Sequence, residues 1–278
     1  MGEPHRVRSY HCEVSFHCVA DNLRQSFRAL ADGKPRGSLI ELPGVSIASL
    51  GVTFQMFNAA FPSEPIETRK TLEDRLRAAK SHFDSWSLRW AFWICEDWLA
   101  KGVRRKLSRA CAGCGLRLSS DMPGMATECI LPPARNLPAI DVRRVRSAET
   151  LDDFRALGST CFHVPISWFS EVFDAGMAAH DAFVCWVGYH DGLPIATAAT
   201  VSAHGVIGVY NVATAPDYRR RGYGEAITRH AIDAALRETG LPKGSTPVVL
   251  QSTSEGLRLY RRMGFQPVTR VLVYSSIP

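Results

Sequence analysis

Val212-Ala213-Thr214-Ala215-Pro216-Asp217-Tyr218-Arg219-Arg220-Arg221-Gly222-Tyr223-Gly224 is the stretch on which the reading of this chain turns. A strand-like run enters a basic, glycine-bearing turn. The turn opens directly into a helical pattern in which Tyr223, Ile227, Ala231 and Ala234 share one face. The first amides of a helix have no acceptor within it, and the aligned peptide dipoles leave partial positive charge at that end. Such a turn presents N–H groups to an anion. Gly222 and Gly224 allow close backbone approach and positive φ, while Arg219, Arg220 and Arg221 add charge-assisted donors. A solvated arginine run capping a loop is the plain alternative. A dinucleotide site is a second one, but Ile227 stands where the third glycine would fall. No Gly-Lys-Ser or Gly-Lys-Thr follows, so a nucleotidase-type phosphate loop is excluded.

Working outward, Phe183 to Tyr189, Pro194 to Val201 and Val206 to Thr214 read as three strands. Asp191-Gly192 and His204-Gly205 are turn signals between them, so the three form an antiparallel meander. Upstream, Ile140 to Val145 is an expected strand and Ser147 to Leu157 an expected helix. Downstream, Gly240 and Pro242 end the helix that Tyr223 opens, and Val248 to Leu250 is a short buried strand. Ser252 and Glu255 predict a capping box for a further helix stopped by Gly264, and Phe265 to Tyr274 closes the sheet.

With those residues in hand, 140–278 resembles a GNAT-superfamily N-acetyltransferase domain. Arg219, Gly222 and Gly224 match that family's R/Q-x-x-G-x-G/A signature, and Leu257-x-x-Tyr260 with Met263-Gly264-Phe265 matches its second motif, in the right order and spacing. The resemblance implies an α+β (mixed α/β) fold: a mainly antiparallel twisted sheet flanked by helices. It implies acetyl-CoA as co-substrate, no metal, and direct attack of an amine on the thioester. Pantetheine would bond main-chain groups of the Val212-Ala213-Thr214 strand, and the diphosphate would rest on Arg219, Arg220, Arg221, Gly222, Tyr223, Gly224 and Glu225. A strand amide near Val212 would stabilise the oxyanion. Tyr260 matches the tyrosine that protonates the departing thiolate, a role its phenol suits, although it is also placed to be a packing residue. Two departures stand out. The strand entering the turn carries no carboxylate, which leaves His204, Tyr210, Glu255 or water as the base, and Thr253 stands where the family usually has asparagine, as a hydrogen-bonding partner for pantetheine or only a helix cap. The missing carboxylate also motivates an alternative reading as a non-catalytic acyl-CoA sensor.

The Pro-rich stretch Leu131 to Pro138 is the expected linker, dividing the chain into 1–137 and 138–278. The first half predicts a helix near Asp21 to Leu30, strands over Ser38 to Leu50, a helix from Thr71 to Phe83 and a buried strand from Leu88 to Cys95. A helix from Val103 to Ala112 follows, then strands flanking an Asp121-Met122-Pro123-Gly124 turn. This order echoes the second half and resembles a degenerate, tandem GNAT lobe without the glycine signature. It reads as a structural lobe shaping the acceptor pocket, or as a lid or partner-binding unit. Trp86, Trp90, Trp93 and Trp98 read as core residues rather than pocket lining.

Composition bounds the rest. A chain of 278 residues with 46% hydrophobic content supports two ordinary cores. The net charge of +6 favours an anionic partner without choosing one. The basic residues are dispersed and no nucleic-acid-binding motif occurs, so no nucleic-acid partner is expected. No apolar run approaches a membrane span, and the N-terminus lacks a signal core and a myristoylation pattern, so a cytoplasmic protein without membrane contact is expected. The eight scattered cysteines suit reduced thiols; Cys111-x-x-Cys114 has no second ligand pair for zinc, and His11-Cys12 and His17-Cys18 read as packing pairs. The partner expected on these grounds is a small-molecule or peptide amine.

Overall fold

The computed structural model describes residues 15–178 and 181–276. In the first half, helix α1 (Phe16–Ala31) precedes strands β1 (Ser38–Leu42), β2 (Val45–Ser49) and β3 (Asn58–Pro62). Helix α2 (Arg69–Ser85), strand β4 (Ala91–Cys95), helices α3 (Lys101–Arg104) and α4 (Leu107–Ala112) and strand β5 (Leu116–Thr127) follow. The second half runs β6 (Asp141–Arg144), α5 (Ala148–Phe162), α6 (Ile166–Val172), α7 (Ala175–Ala178), β7 (Val184–His190), β8 (Leu193–Ala203) and β9 (Val206–Thr214). It ends with α8 (Tyr223–Thr239), β10 (Val248–Gln251), α9 (Leu257–Arg262) and β11 (Gln266–Ser276).

All eleven strands join one sheet, ordered β1-β2-β3-β4-β11-β5-β10-β9-β8-β7-β6. The pairings are antiparallel except for β3 with β4 and β9 with β10. The expected meander is present as β7, β8 and β9, and both of its turns have paired positive φ, at Asp191–Gly192 and His204–Gly205. That geometry matches the twist of the flanking strands.

The sheet crosses the expected division at 137/138 three times, between β4 and β11, β11 and β5, and β5 and β10. β5, from the first half, lies between β10 and β11 and pairs with both. β11, from the end of the second half, lies between β5 and β4. Each half therefore lends its last strand to the junction, and β11 sits inside the sheet instead of closing its edge.

Helix α1 spans the same junction. Its apolar stripe Val19, Leu23, Phe27 and Leu30 is buried, at spacings that follow one helical face. Phe27 packs on Phe57, Phe61 and Trp93 of the first half. One turn earlier, the buried Asn22 donates through Nδ2 to the carbonyls of Val201 and Val206 at 3.1 Å each, and accepts from the Tyr210 hydroxyl at 2.7 Å. The side chain thus satisfies three buried polar groups of the β8–β9 hairpin.

Several local expectations are corrected. The Asp121–Gly124 segment is not a turn: β5 runs through it without a break. Pro123 is tolerated because β10 pairs only from Gly124 onward, so the missing N–H falls outside that ladder. The Val103–Ala112 helix is two short helices separated at Arg105 and Lys106. Ser252 and Glu255 form no capping box: α9 starts at Leu257, the Thr253 hydroxyl accepts from the Gly256 amide, and Glu255 faces Arg219. Trp90 and Trp98 are buried and Trp93 is partly so, but Trp86 is half exposed. His11 and Cys12 lie outside the described residues. Among the described residues, no group of histidine, cysteine and acidic side chains could hold a metal, and no helix is long and apolar enough to cross a membrane.

Candidate active site

The site is a fork in the sheet. Strands β9 and β10 pair in parallel only over Ile207–Val209 and Val248–Leu250, then separate. What opens the fork is a β-bulge. Thr197 pairs with Ala213, yet Ala199 pairs with Tyr210, so Asn211 and Val212 together oppose Ala198. Asn211 takes a left-handed φ of 48°, which asparagine tolerates better than most residues, and its carbonyl accepts from the Thr197 hydroxyl at 2.8 Å.

The extra residue reverses which main-chain groups face the opening. Before the bulge, the Ile207 amide donates toward β10, to Pro247 at 3.0 Å. After it, the Ala215 amide donates away from β10, to Ile195 of β8 at 2.8 Å. Peptide planarity and strand alternation then turn the main-chain groups of Val212 and Thr214 into the fork, while Ala213 pairs with β8. The Thr214 carbonyl already accepts from Arg219 Nε at 3.1 Å and from the Cys161 thiol at 3.5 Å. Burial pushes that thiol's pKa up, and Arg219 partly opposes the shift.

The open end of the fork meets the basic turn. Arg220 and Gly222 both take positive φ, 60° and 104°, which bends the chain so that α8 starts at Tyr223. The first amide to find a carbonyl in this turn of the helix is Ala226, bonded to Gly222 at 3.0 Å, so the amides of Tyr223, Gly224 and Glu225 have no acceptor within their own helix. Arg219 reaches back toward Glu255 at 3.8 Å, tying the turn to the loop before α9. Arg221 lies over the Tyr218 ring at 5.5 Å, and Arg220 and Arg221 are exposed. The Glu225 side chain is buried and paired with Arg229 at 2.7 Å, which leaves only its main chain at the turn. From outside, the 131–138 segment lies across the turn: Arg135 donates to the Arg220 carbonyl at 3.1 Å, and Pro138 covers Gly222.

Tyr260 lies in the apolar cluster beneath the fork with Met125, Ile232, Leu250 and Phe265, 7% exposed. Burial raises its pKa, so the phenol stays protonated. Thr253 is exposed at the far lip. The base candidates are dispersed. Tyr210 is committed to Asn22 and is also held neutral by burial. Glu255 faces Arg219, and His204 contacts Gln25 at the opposite end of β9.

The first half carries the matching fork, between β3 and β4, but its own chain fills it. After pairing at Ala59–Ala91 and Ala60–Phe92, the gap is bridged by Ile66, whose amide donates to Trp98 at 2.8 Å and whose carbonyl accepts from Ala100 at 3.1 Å. The Thr68 hydroxyl then occupies the amide of Thr71 at the start of α2. Sequence reading missed the bulge, the closure at Ile66 and the Asn22–Tyr210 link. An asparagine within an otherwise apolar strand was the one local sign of the bulge; the other two join residues far apart in sequence.

The sheet thus splits between two parallel strands and runs into a helix start whose first amides have no acceptor within the helix. Residues 181–267 match the family model described as acetyltransferase (GNAT) domain, and the chain carries a GNAT acetyltransferase domain there. No curated protein matches the sequence. Among solved structures, the chain is similar to a GCN5-related N-acetyltransferase from Kribbella flavida, at 20% identity over 94% of this chain and 96% of that one, with a TM-score of 0.69. It is also similar to a functionally unknown conserved protein from Staphylococcus epidermidis, at 14% identity over 86% and 94%, with a TM-score of 0.61. A third likeness is to a tandem GNAT protein from the clavulanic acid biosynthesis pathway, at 12% identity over 92% and 88%, with a TM-score of 0.52. These likenesses bear on the fold: it is mixed α/β, with a large, mostly antiparallel sheet flanked by helices.

Proposed function

We propose that the chain transfers an acetyl group from acetyl-CoA to an amine of a small molecule or peptide. The observation that carries this reading is the fork whose Val212 and Thr214 main chain faces the gap and whose open end meets the amides of Tyr223, Gly224 and Glu225. The basic turn binds the diphosphate, and the pantetheine arm lies along the fork with the thioester toward its closed end. The amine lone pair attacks the thioester carbon, a C–N bond forms, and the carbonyl π electrons move to oxygen, where the Val212 amide stabilises them. When those electrons return, the C–S bond breaks and the thiolate leaves with the bonding pair. One proton is lost from nitrogen and one is gained by sulfur.

Tyr260 is the proposed proton donor to sulfur. Its raised pKa keeps it protonated but makes it a weak acid, so its role is to hydrogen-bond the developing thiolate rather than to ionise early. With Tyr210 and Glu255 both engaged, water takes the proton from nitrogen, and the free amine is the attacking species. The first half, its own fork closed by Ile66, binds no CoA and shapes the acceptor side.

Calorimetric titration with acetyl-CoA tests the reading directly, and no binding at millimolar ligand would refute it. Sustained release of free thiol during incubation with an amine library would exclude a pure sensor. Tyr260→Phe is expected to slow that release while sparing CoA affinity; unchanged turnover would remove Tyr260 from the mechanism.

A further inference from the structure

Where β9 and β10 part, the last residue of β10 is Gln251, and its Nε2 is buried with no hydrogen-bond partner. A buried amide donor left unpaired carries a desolvation cost, so such groups in a folded protein call for an explanation. Alternation along β10 fixes where this side chain points. Val248 and Leu250 lie in the cluster under α8 and α9, whereas Val249 packs with Val19 and Leu23 of α1, so Gln251 shares the α1 face. Opposite it in the antiparallel pair stands Gly124, so no partner side chain covers it from that strand. On the other side, the last paired residue of β9 is Val209, directly before Tyr210 and the Asn211 bulge. The orphan donor therefore sits at the vertex of the fork.

A diphosphate bound at the turn is at the far, open end, and a ligand extended along the gap brings its other end to this vertex. We infer that Gln251 Nε2 donates a hydrogen bond to the acyl carbonyl oxygen of the bound thioester, making it the side-chain counterpart of the Val212 amide. This rests on the acetyl-CoA reading above. It assigns Gln251 the recognition of the acyl group as distinct from the CoA body, and it accounts for an unpaired donor that packing does not explain.

The test compares acetyl-CoA with free CoA by calorimetry in the full chain, using wild type, Gln251→Leu and Gln251→Met, the last close in length and shape but without a donor. Loss of one hydrogen bond should weaken acetyl-CoA binding by about fivefold and leave CoA binding unchanged. With [1-¹³C]acetyl-CoA, the bound carbonyl resonance should lie downfield of its free position in wild type and return toward it in both variants. Thermal melting identifies any variant that fails to fold; if one does, the other and the wild-type carbonyl shift carry the test. Equal weakening of both ligands, or an unshifted wild-type carbonyl, would overturn the role of Gln251 while leaving the coenzyme reading intact. Binding of neither ligand by wild type would instead refute the coenzyme reading itself.

Discussion

Replacing Gly222 by alanine should damage the basic turn selectively, and the size of the effect can be worked from its geometry. Gly222 has φ 104° and ψ −6°, a conformation that an L side chain rarely adopts. Left-handed backbone costs a non-glycine residue about 1–2 kcal/mol. A Cβ added here would lie 2.9 Å from Pro138 Cδ and 3.6 Å from Arg135 Nη2, so the covering segment must also shift. The strain can be met in two ways. If the turn keeps its shape, stability falls by about 1–2 kcal/mol; if it relaxes, the amides of Tyr223 to Glu225 lose their alignment and acetyl-CoA affinity falls by about 5- to 30-fold. Measuring the dissociation constant by calorimetry and the melting temperature by circular dichroism captures both routes. Gly224→Ala is the control. Gly224 sits in the helix, where a Cβ would meet Thr214 Oγ1 at 3.1 Å and Leu259 Cδ2 at 3.8 Å. The helix gains about 1 kcal/mol from alanine, against one tight contact, so affinity should stay within about threefold of wild type. A Gly222→Ala protein matching wild type in both measurements would refute the argument from positive φ.

Asn22→Ala strips partners from two carbonyls and the Tyr210 hydroxyl, and should cost about 3 kcal/mol, read as a lower urea midpoint with an unchanged slope. Burial lowers the pKa of His82 and of His230, the latter helped by Arg237. The unfolded chain therefore binds more protons than the folded one from about pH 6.5 down to the lowered values, so stability should fall as pH drops through that window, and a His82→Gln/His230→Gln variant should flatten the slope. Peptide mapping after brief alkylation should find the exposed Cys129 labelled before Cys95, whose pKa burial pushes up to about 12, and before the buried Cys111.

The second half was largely legible because its signals are local. Asp191-Gly192, His204-Gly205 and Gly240 each dictate a backbone conformation, and the meander and α8 follow from them. The basic turn into α8 was readable for the same reason: glycines and arginines beside a helical pattern have physical meaning without any partner. What stayed hidden depends on residues distant in sequence. Nothing in Leu116–Thr127 says that this strand will sit against β10, and Asp121-Met122-Pro123-Gly124 even mimics a turn because composition does not report where a neighbouring strand stops. The capping box failed because α9 starts only at Leu257: Ser252 Oγ donates instead to the Thr253 carbonyl, and the Thr253 hydroxyl takes the Gly256 amide. Gln251 carries no local signal, and only the separation of β9 from β10 places it at a vertex.

The exchange of β5 and β11 has a consequence for biosynthesis. A ribosome releases β4 early, yet the strand that must lie beside it is β11, made more than a hundred residues later. Until then β4 has an open edge, a template for wrong partners that a growing chain must keep shielded. The sheet should consequently be completed only after β11 has been translated, and a nascent chain stalled anywhere between β4 and Gln266 should be prone to aggregate or to need a chaperone.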